Sequence, residues 1–320
     1  MFAQPPTTLR LVTATSLFDG HDAAINVMRR ILQREGAEVI HLGHNRSVQE
    51  IVDAAIQEDA DAVAVSSYQG GHMEFFRYMV DRLREQDAAH IRVFGGGGGT
   101  IVPEEMEALE RYGVARIYGP DAGQKLGLVG MIRDLLSRCP PRPPMDLERE
   151  FARLPRRQPQ ALARLLTFNA LRAAGQVHEE AEQYFAHQVQ RLAPGHTVPV
   201  LGITGTGGAG KSSLTDEVVR RFLDDFPAKT VAILSVDPTQ RRTGGALLGD
   251  RIRMNAIQTE RAFMHSLATR QDHAGVAPGL KEAIALCRAA GYDMVIVETA
   301  GIGQGDTAIV DLADFTVYVM

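Results

Sequence analysis

Two groups of chemistry-bearing residues stand apart in this 320-residue sequence, and they call for different ligands. Residues 205 to 212 read Gly-Thr-Gly-Gly-Ala-Gly-Lys-Ser, a complete G-x-x-x-x-G-K-[ST] loop. In such a loop, successive backbone amides and the following helix N-terminus hold phosphate anions. The lysine brings a mobile positive charge to the outer phosphates, and the serine hydroxyl is offered to magnesium. The second group lies far upstream. Asp19-Gly20-His21 pairs a carboxylate with an imidazole, residues 66 to 72 read Ser-Ser-Tyr-Gln-Gly-Gly-His, and Gly95 to Gly99 are consecutive glycines. An imidazole that binds a metal through one nitrogen needs a partner such as a carboxylate for the proton on the other. Together the groups suggest a nucleotide-driven device attached to a cofactor holder.

The elements that must position these residues alternate regularly in the first half. Leu9 to Thr15 is a short apolar, β-rich run, followed by a helix in which Ile25, Met28, Ile31 and Leu32 recur at helical spacing until Gly36. Residues 37–42, 61–66, 91–94 and 115–118 read as four further strands. A helix follows each: one opened by the capping-box pair Ser47 and Glu50, one near His72, one near Pro103, and a last one running to about Cys139. This order predicts an α/β domain over residues 1–140, a flavodoxin-like doubly wound parallel sheet that binds ligands at the carboxyl ends of its strands. The loops carrying Asp19, Ser66 and Gly95 all fall at that edge. Taken singly each is weak, since a lone loop histidine is ordinarily a capped or exposed residue and a glycine run can be a linker. The glycines, however, sit between a strand and a Pro-started helix, where they let a bulky ligand approach the backbone.

After Cys139 the texture changes to Pro140-Pro141-Arg142-Pro143-Pro144, a stiff segment that reads as a domain boundary. Residues 141–196 are expected to form a linker and helical preface, with amphipathic helices over 162–171 and 181–192. A P-loop NTPase α/β domain is expected over 197–320. Val198 to Ile203 is the strand that feeds the phosphate loop, and Lys211 to Leu214 begins a helix. Gly207, Gly208, Ala209, Gly210, Lys211, Ser212 and Ser213 are the expected phosphate cradle. Strand 231–236 ends at Asp237, the segment 243–251 brings Asp250, and strand 294–297 ends at Glu298-Thr299. Acids at strand ends beside a phosphate loop are where magnesium is held, so Ser212, Asp237, Asp250, Glu298 and Thr299 are the candidate magnesium residues. For any one acid alone, a helix cap or surface role is the plain alternative.

Composition bounds the remainder. With 45% hydrophobic and 23% charged residues and a net charge of -5, the chain carries no general field for nucleic acid or anionic lipid. The basic run at Arg149, Arg153, Arg156, Arg157 and Arg164 is diluted by acids and lacks aromatic residues. It reads as a solvated helix face or an interdomain contact, not a nucleic-acid patch. Only Cys139 and Cys287 occur, so no disulfide framework is available. No signal-peptide core and no run of about 18 apolar residues is present, and the cytoplasm is the expected compartment, with no membrane and no nucleic acid as partners.

The first half resembles the cobalamin-binding domain of adenosylcobalamin-dependent mutases and methionine synthase, whose pattern is D-x-H-x-x-G, then S-x-L, then a glycine pair. Asp19-x-His21, Ser66 and Gly95-Gly96 match over about residues 8 to 138, while Ala24 replaces the glycine and Tyr68 the leucine. The resemblance implies His21 as the lower cobalt ligand with Asp19 and Gly20 behind it. It places Ser66, Tyr68, Gly95, Gly96, Gly97 and Gly98 around the cofactor tail, and His72 either at the corrin face or in a structural role.

From about residue 160 onward the chain resembles the MeaB and ArgK type of GTPases, metallochaperones of cobalamin enzymes. The resemblance rests on residues 202–213, on Val-Asp-Pro with the following Thr-Gly-Gly and Leu-Gly-Asp-Arg-Ile-Arg-Met, and on Val-Glu-Thr-Ala-Gly-Ile-Gly-Gln at 297–304. It implies GTP hydrolysis with magnesium, in which Lys211 neutralises charge, Gln304 orients the attacking water and Arg253 reaches the nucleotide or a switch loop. Segments 237–253 and 298–306 would move to gate the cofactor.

The pair resembles the fused isobutyryl-CoA mutases, in which chaperone and mutase share one polypeptide. That implies adenosylcobalamin, an acyl-CoA substrate held by a barrel domain, isomerisation of isobutyryl-CoA to n-butyryl-CoA, an adenosyltransferase as cofactor source and a homodimer. No barrel is visible, and Phe315 to Met320 reads as the next strand of an unfinished sheet before any N-K-x-D motif, so the N-terminal part of a longer protein is expected. Two alternatives stand beside this: a cobalamin carrier or sensor with a regulatory GTPase, and a flavodoxin-like response module without cobalt.

Overall fold

The computed structural model describes residues 8–21, 23–142, 144–192, 198–237, 239, 243, 245–269, 279–299, 301 and 309–320. The first half alternates as expected: β1 (Arg10–Thr15), α1 (Ala23–Arg34), β2 (Glu38–His41), α2 (Val48–Gln57), β3 (Ala62–Ser66), α3 (His72–Glu85), β4 (Arg92–Gly96), α4 (Pro103–Tyr112), β5 (Arg116–Tyr118) and α5 (Pro120–Ser137). Its strands run parallel in the order β5-β4-β3-β1-β2. Beyond β1 the chain turns to one side to form β2, then crosses to the other to form β3. This reversal opens a crevice where the loops after β1 and β3 leave the sheet. Residues of β1, β2 and β3 are buried throughout, because helices cover both faces. Ile51, Phe76, Met79 and Leu109 from α2, α3 and α4 fill one side, and Leu32, Ile132 and Leu135 from α1 and α5 fill the other.

The predicted capping box is present: Ser47 Oγ accepts from the Glu50 amide, and the Glu50 carboxylate accepts from the Ser47 amide at 2.8 Å. It stops α2 from fraying at the end nearest the first-half loops.

The second half contains α6 (Leu147–Arg153), α7 (Pro159–Ala173), α8 (Glu179–Leu192), β6 (Val200–Gly205), α9 (Lys211–Asp225), β7 (Val231–Asp237), β8 (Ala246–Leu248), β9 (Ala262–Ala268), α10 (Leu280–Ala289), β10 (Met294–Glu298) and β11 (Phe315–Val319). Its parallel sheet has the order β11-β6-β10-β7-β9. The helices expected over 162–171 and 181–192 are α7 and α8. Leu162, Leu166, Phe168 and Phe185 pack them, with α10, against Ala232, Leu234, Phe263 and Val295. On the opposite face, Val219 and Leu223 of α9 meet Ile203, Ile233 and Ile296.

Two strands were not anticipated, and one of them joins the halves. β8 does not enter the second sheet. It pairs in parallel with β2, Glu38 opposite Ala246 and Ile40 opposite Leu248, so a strand from the nucleotide half forms the edge of the first sheet. Its neighbour β9 carries His265 and Ser266 inside, because it faces the polar end of α2. There Glu58, fully buried, accepts from Arg251 Nη1 at 3.0 Å, from the Ser266 amide at 2.9 Å and from Ser266 Oγ at 3.0 Å. Arg10 of β1 lies 3.5 Å from the same carboxylate and reaches His265 Nε2 at 3.1 Å.

Residue 142 also ties the segments together, because Arg142 pairs with Asp59 and Asp61. The basic run divides its partners: Arg149 reaches Asp87 of the first half at 3.1 Å, and Arg164 pairs with Glu150 at 2.8 Å. Among the described residues, no helix is long and apolar enough to cross a membrane.

Candidate functional site: a histidine over an apolar cavity and a phosphate loop

The loop after β1 places Asp19 and His21 at the crevice. Asp19 is buried, whereas the His21 side chain is 77% exposed, which leaves its ring accessible from outside. His21 Nδ1 lies 2.8 Å from Asp19 Oδ1, and the same oxygen accepts from the His21 amide at 2.9 Å. The second carboxylate oxygen accepts from the Tyr68 amide at 2.5 Å, which joins the loops after β1 and β3. Burial pushes the Asp19 carboxyl up, but these hydrogen bonds hold it below the ordinary carboxylate range. An ionised Asp19 beside Nδ1 is placed to orient the ring, and no protein atom engages Nε2 among the hydrogen bonds of the described residues.

Beside this ring, a cavity of about 250 Å³ enters the domain between α1, α5 and the glycine strand end. Ile25, Met28, Phe94, Ile132 and Leu135 are among its walls, together with Ser66 and Tyr68. The Tyr68 ring lies 5.5 Å from that of His21. The cavity suits a flat aromatic group entering from the His21 side, while a macrocycle would have to remain outside over the exposed imidazole. The residues present therefore fit a cobalamin whose tail enters the domain.

Gly95 to Gly98 all line this cavity, but their lack of side chains serves the protein as well as a ligand. A Cβ on Gly97 would lie 1.9 Å from the Ser67 carbonyl oxygen, and one on Gly95 would lie 2.5 Å from the Phe76 ring. The glycines are thus required by close strand and helix packing before any ligand arrives. Gly20 is exposed and open. His72 has a structural setting: it is buried, with Nδ1 3.1 Å from the Gln69 carbonyl oxygen and Nε2 2.9 Å from Glu105 Oε2. Both nitrogens are engaged inside the protein, so the ring has none free for a corrin.

At the other site, β6 leads into Gly207, Gly208, Ala209 and Gly210, and α9 begins at Lys211. Lys211 folds back, donating to the Gly205 and Thr206 carbonyls at 3.2 and 3.1 Å. Ser213 is exposed in the first turn of α9. Ser212 Oγ lies 2.6 Å from Glu298 Oε1 and 3.0 Å from Asp250 Oδ1. Thr215 holds the other Glu298 oxygen at 2.8 Å, and Ser235 the other Asp250 oxygen at 2.6 Å. Sequence reasoning missed both hydroxyls; Thr215, one helical turn beyond Lys211, was the available signal.

Asp237 is buried nearby with Oδ2 lacking any hydrogen-bond partner. Burial and then the charges of Asp250 and Glu298 push its carboxyl well above the ordinary range. Glu298 is raised by burial and by Asp250, against the opposing effects of Ser212, Thr215 and Lys211. A buried hydroxyl between two carboxylates has one proton to give, so the arrangement is short of positive charge. That deficit and the unpartnered Asp237 oxygen fit a divalent cation. Among the described residues no three His, Cys, Asp or Glu side chains form a metal-holding group by themselves, so phosphate oxygens and water would have to complete the shell. Thr299 is placed apart, its hydroxyl donating to Thr204 Oγ1 at 3.0 Å. Arg253 pairs with Asp250 at 2.8 Å. Gln304 lies outside the described residues.

Comparison with known proteins agrees with this geometry. Residues 9–126 match the B12 binding domain, and residues 162–320 match the family described as methylmalonyl Co-A mutase-associated GTPase MeaB. Over 99% of its length the chain is 58% identical to the fused isobutyryl-CoA mutase of Geobacillus kaustophilus and 56% identical to that of Cupriavidus metallidurans. This is the domain pair of the fused isobutyryl-CoA mutases. The chain spans 29% and 28% of the length of those two relatives. The methylmalonic aciduria type A homolog of Caenorhabditis briggsae is 43% identical over 36% of this chain and 28% of its own length. The B12-binding domain and the MeaB-type GTPase domain thus meet here through the shared strand β8 and the buried Glu58.

Proposed function

We propose that this chain is the cofactor-holding and GTP-hydrolysing part of an adenosylcobalamin-dependent acyl-CoA mutase that isomerises isobutyryl-CoA to n-butyryl-CoA. The observation that carries the reading is the Asp19–His21 pair, with its imidazole exposed beside Tyr68 of an apolar cavity, in the same interlocked molecule as the phosphate loop. The cofactor, when bound, supplies a weak cobalt–carbon bond for radical chemistry. His21 would hold the metal through its ring nitrogen. Asp19 would hold the proton on Nδ1 and orient the ring, and the cavity would receive the cofactor tail. The acyl-CoA site belongs to the part of the fused relatives that this chain does not span.

In the nucleotide half, the amides of Gly207 to Ser213 cradle the phosphates, and Lys211 leaves its loop carbonyls to meet the outer one. Ser212 would offer its oxygen to magnesium, with Asp237, Asp250 and Glu298 balancing the charge directly or through water. Water attacks the outer phosphorus with Gln304 orienting it. Hydrolysis would then gate cofactor entry or release. An adenosyltransferase as cofactor source and a homodimeric assembly complete the proposal.

Hydroxocobalamin titrated into the protein should give the spectrum of histidine-bound cobalt, and His21→Ala should remove it. Lys211→Ala should reduce GTP hydrolysis by about 10²–10³-fold while sparing cobalamin binding. A variant lacking His21 with an unaltered spectrum would overturn the cobalt assignment.

A further inference from the structure

The loop that carries Asp19 and His21 is held from outside its own strand. Phe18, which precedes Asp19, has a left-handed backbone (φ 63°) although it is not glycine, and its side chain is 85% exposed. Its amide donates to Asn45 Oδ1 at 2.8 Å, and Asn45 is itself left-handed (φ 56°). Such conformations persist only where the surroundings enforce them. Here residues 43–46 do so: the Thr15 amide donates to the Gly43 carbonyl at 2.9 Å, and the Arg46 amide to the Thr15 carbonyl at 3.0 Å.

The same short segment touches the nucleotide half. Ile252 packs on the bare backbone of Gly43, so closely that a Cβ there would lie 3.0 Å from Ile252 Cδ1. Ile252 belongs to the single turn Asp250–Arg253, which begins with the acid beside Ser212. Arg251 is anchored at 3.0 Å to Glu58, at 2.7 Å to Gln57 and at 3.0 Å to the Met264 carbonyl. A displacement of Asp250 therefore pivots on Arg251 and is taken up by Ile252.

We infer that residues 43–46 relay the state of the nucleotide site to the Asp19–His21 loop, with Ile252 as the transmitting contact and Asn45 as the residue that positions Phe18. The inference rests on the cobalamin and nucleotide assignments above. When a cation engages Ser212, Asp250 exchanges its hydroxyl partner, the 250–253 turn shifts, and Gly43 moves with Ile252. Release of Phe18 from Asn45 lets its strained backbone relax and swings Asp19 and His21. The two arrangements of Phe18, bonded and released, form the bistable element that both ligands bias.

The test is a titration of hydroxocobalamin into the intact protein, read by the histidine-bound cobalt spectrum, with and without GDP and magnesium. For the wild type the affinity should differ by at least about fivefold between the two conditions. Ile252→Ala should keep its nucleotide affinity and its nucleotide-free cobalamin affinity, and the ratio should fall to near one. Asn45→Gly, which tolerates the left-handed backbone but lacks the acceptor, should weaken cobalamin binding and also abolish the ratio. A full ratio in either variant would overturn the relay. A wild type that binds both ligands without mutual effect would overturn it too, leaving the cofactor assignment intact. Absence of any histidine-bound spectrum in the wild type would sink the cobalamin assignment and the relay together.

Discussion

Asp250 and Arg251 are consecutive in the chain yet serve different halves of the molecule: Asp250 Oδ1 lies 3.0 Å from the Ser212 hydroxyl, and Arg251 Nη1 donates to Glu58 Oε1 at 3.0 Å. One peptide unit therefore links the phosphate loop to the end of α2. Burial opposes the charge on Glu58, but Arg251, His265 and Arg10 hold its carboxyl below the ordinary range.

Removing that charge leaves Arg251 buried without its carboxylate, while Arg10 keeps Glu38 at 2.7 Å. Glu58→Gln is expected to cost about 3–5 kcal/mol, the range for breaking one side of a buried ion pair. Urea unfolding followed by circular dichroism measures it. A loss below the range for a surface pair, about 1 kcal/mol, would mean that the halves do not depend on this contact.

His265 adds a pH dependence. Burial and then the Arg10 charge depress its pKa to about 4. The unfolded chain binds its proton below about 6.5, so the native protein binds fewer protons in that window. Stability should therefore fall as pH drops from about 6.5 to about 4, by up to about 3 kcal/mol from this residue. His265→Gln should flatten that part of a thermal-unfolding profile. An equally steep profile in the variant would assign the acid sensitivity elsewhere.

Asp19 is expected to act on the metal through His21. Asp19→Asn keeps the shape but removes the anion that fixes the ring proton, and cobalamin affinity should fall by about 10–100-fold, with histidine ligation retained. Absorbance titration reads both quantities. Unchanged affinity would show that the exposed imidazole needs no carboxylate behind it.

Asp237 should trade stability for ligand binding. Its raised carboxyl costs the native state free energy as pH rises past the unfolded value near 4, a cost that persists at neutrality. Asp237→Asn should raise apo stability at pH 7 by about 0.5–2 kcal/mol, with the gain vanishing below pH 4. Adding GDP and magnesium should stabilise the wild type more than the variant. The reverse order in a thermal-shift series would exclude Asp237 from cation binding.

Much of this was legible because local periodicity and local chemistry agreed. The five strand–helix pairs, the Ser47–Glu50 box, the phosphate loop and the Asp19–His21 pair each depend on residues close in sequence. The interlock was not. β8 has only three residues, too few for a period, and its partner β2 lies some two hundred residues upstream, as the pairing of Glu38 with Ala246 makes plain. Glu58, Asp59 and Asp61 carry no local signal of their partners, because Arg251 and Arg142, which pair with them, lie far along the chain. His265 belongs to no local motif, because its partners are the distant Arg10 and the Gln57 carbonyl, which it meets at 2.7 Å. Arg10, the first residue of β1, is a charge in a strand that is buried throughout, which marks the contact from the strand's side.

The strand lent by the nucleotide half also limits how such a protein can be divided or recombined. A fragment ending in the proline-rich stretch would leave the backbone of β2 unpaired along one side and uncover the surface that Ala246 and Leu248 seal. Open strand edges of this kind recruit other chains. A substitute GTPase joined at the same point would restore the edge only if it brought a strand of matching length and register. Inheritance of the two domains as one unit is therefore favoured by the need to keep a sheet edge covered, independently of any advantage in placing nucleotide and cofactor near one another.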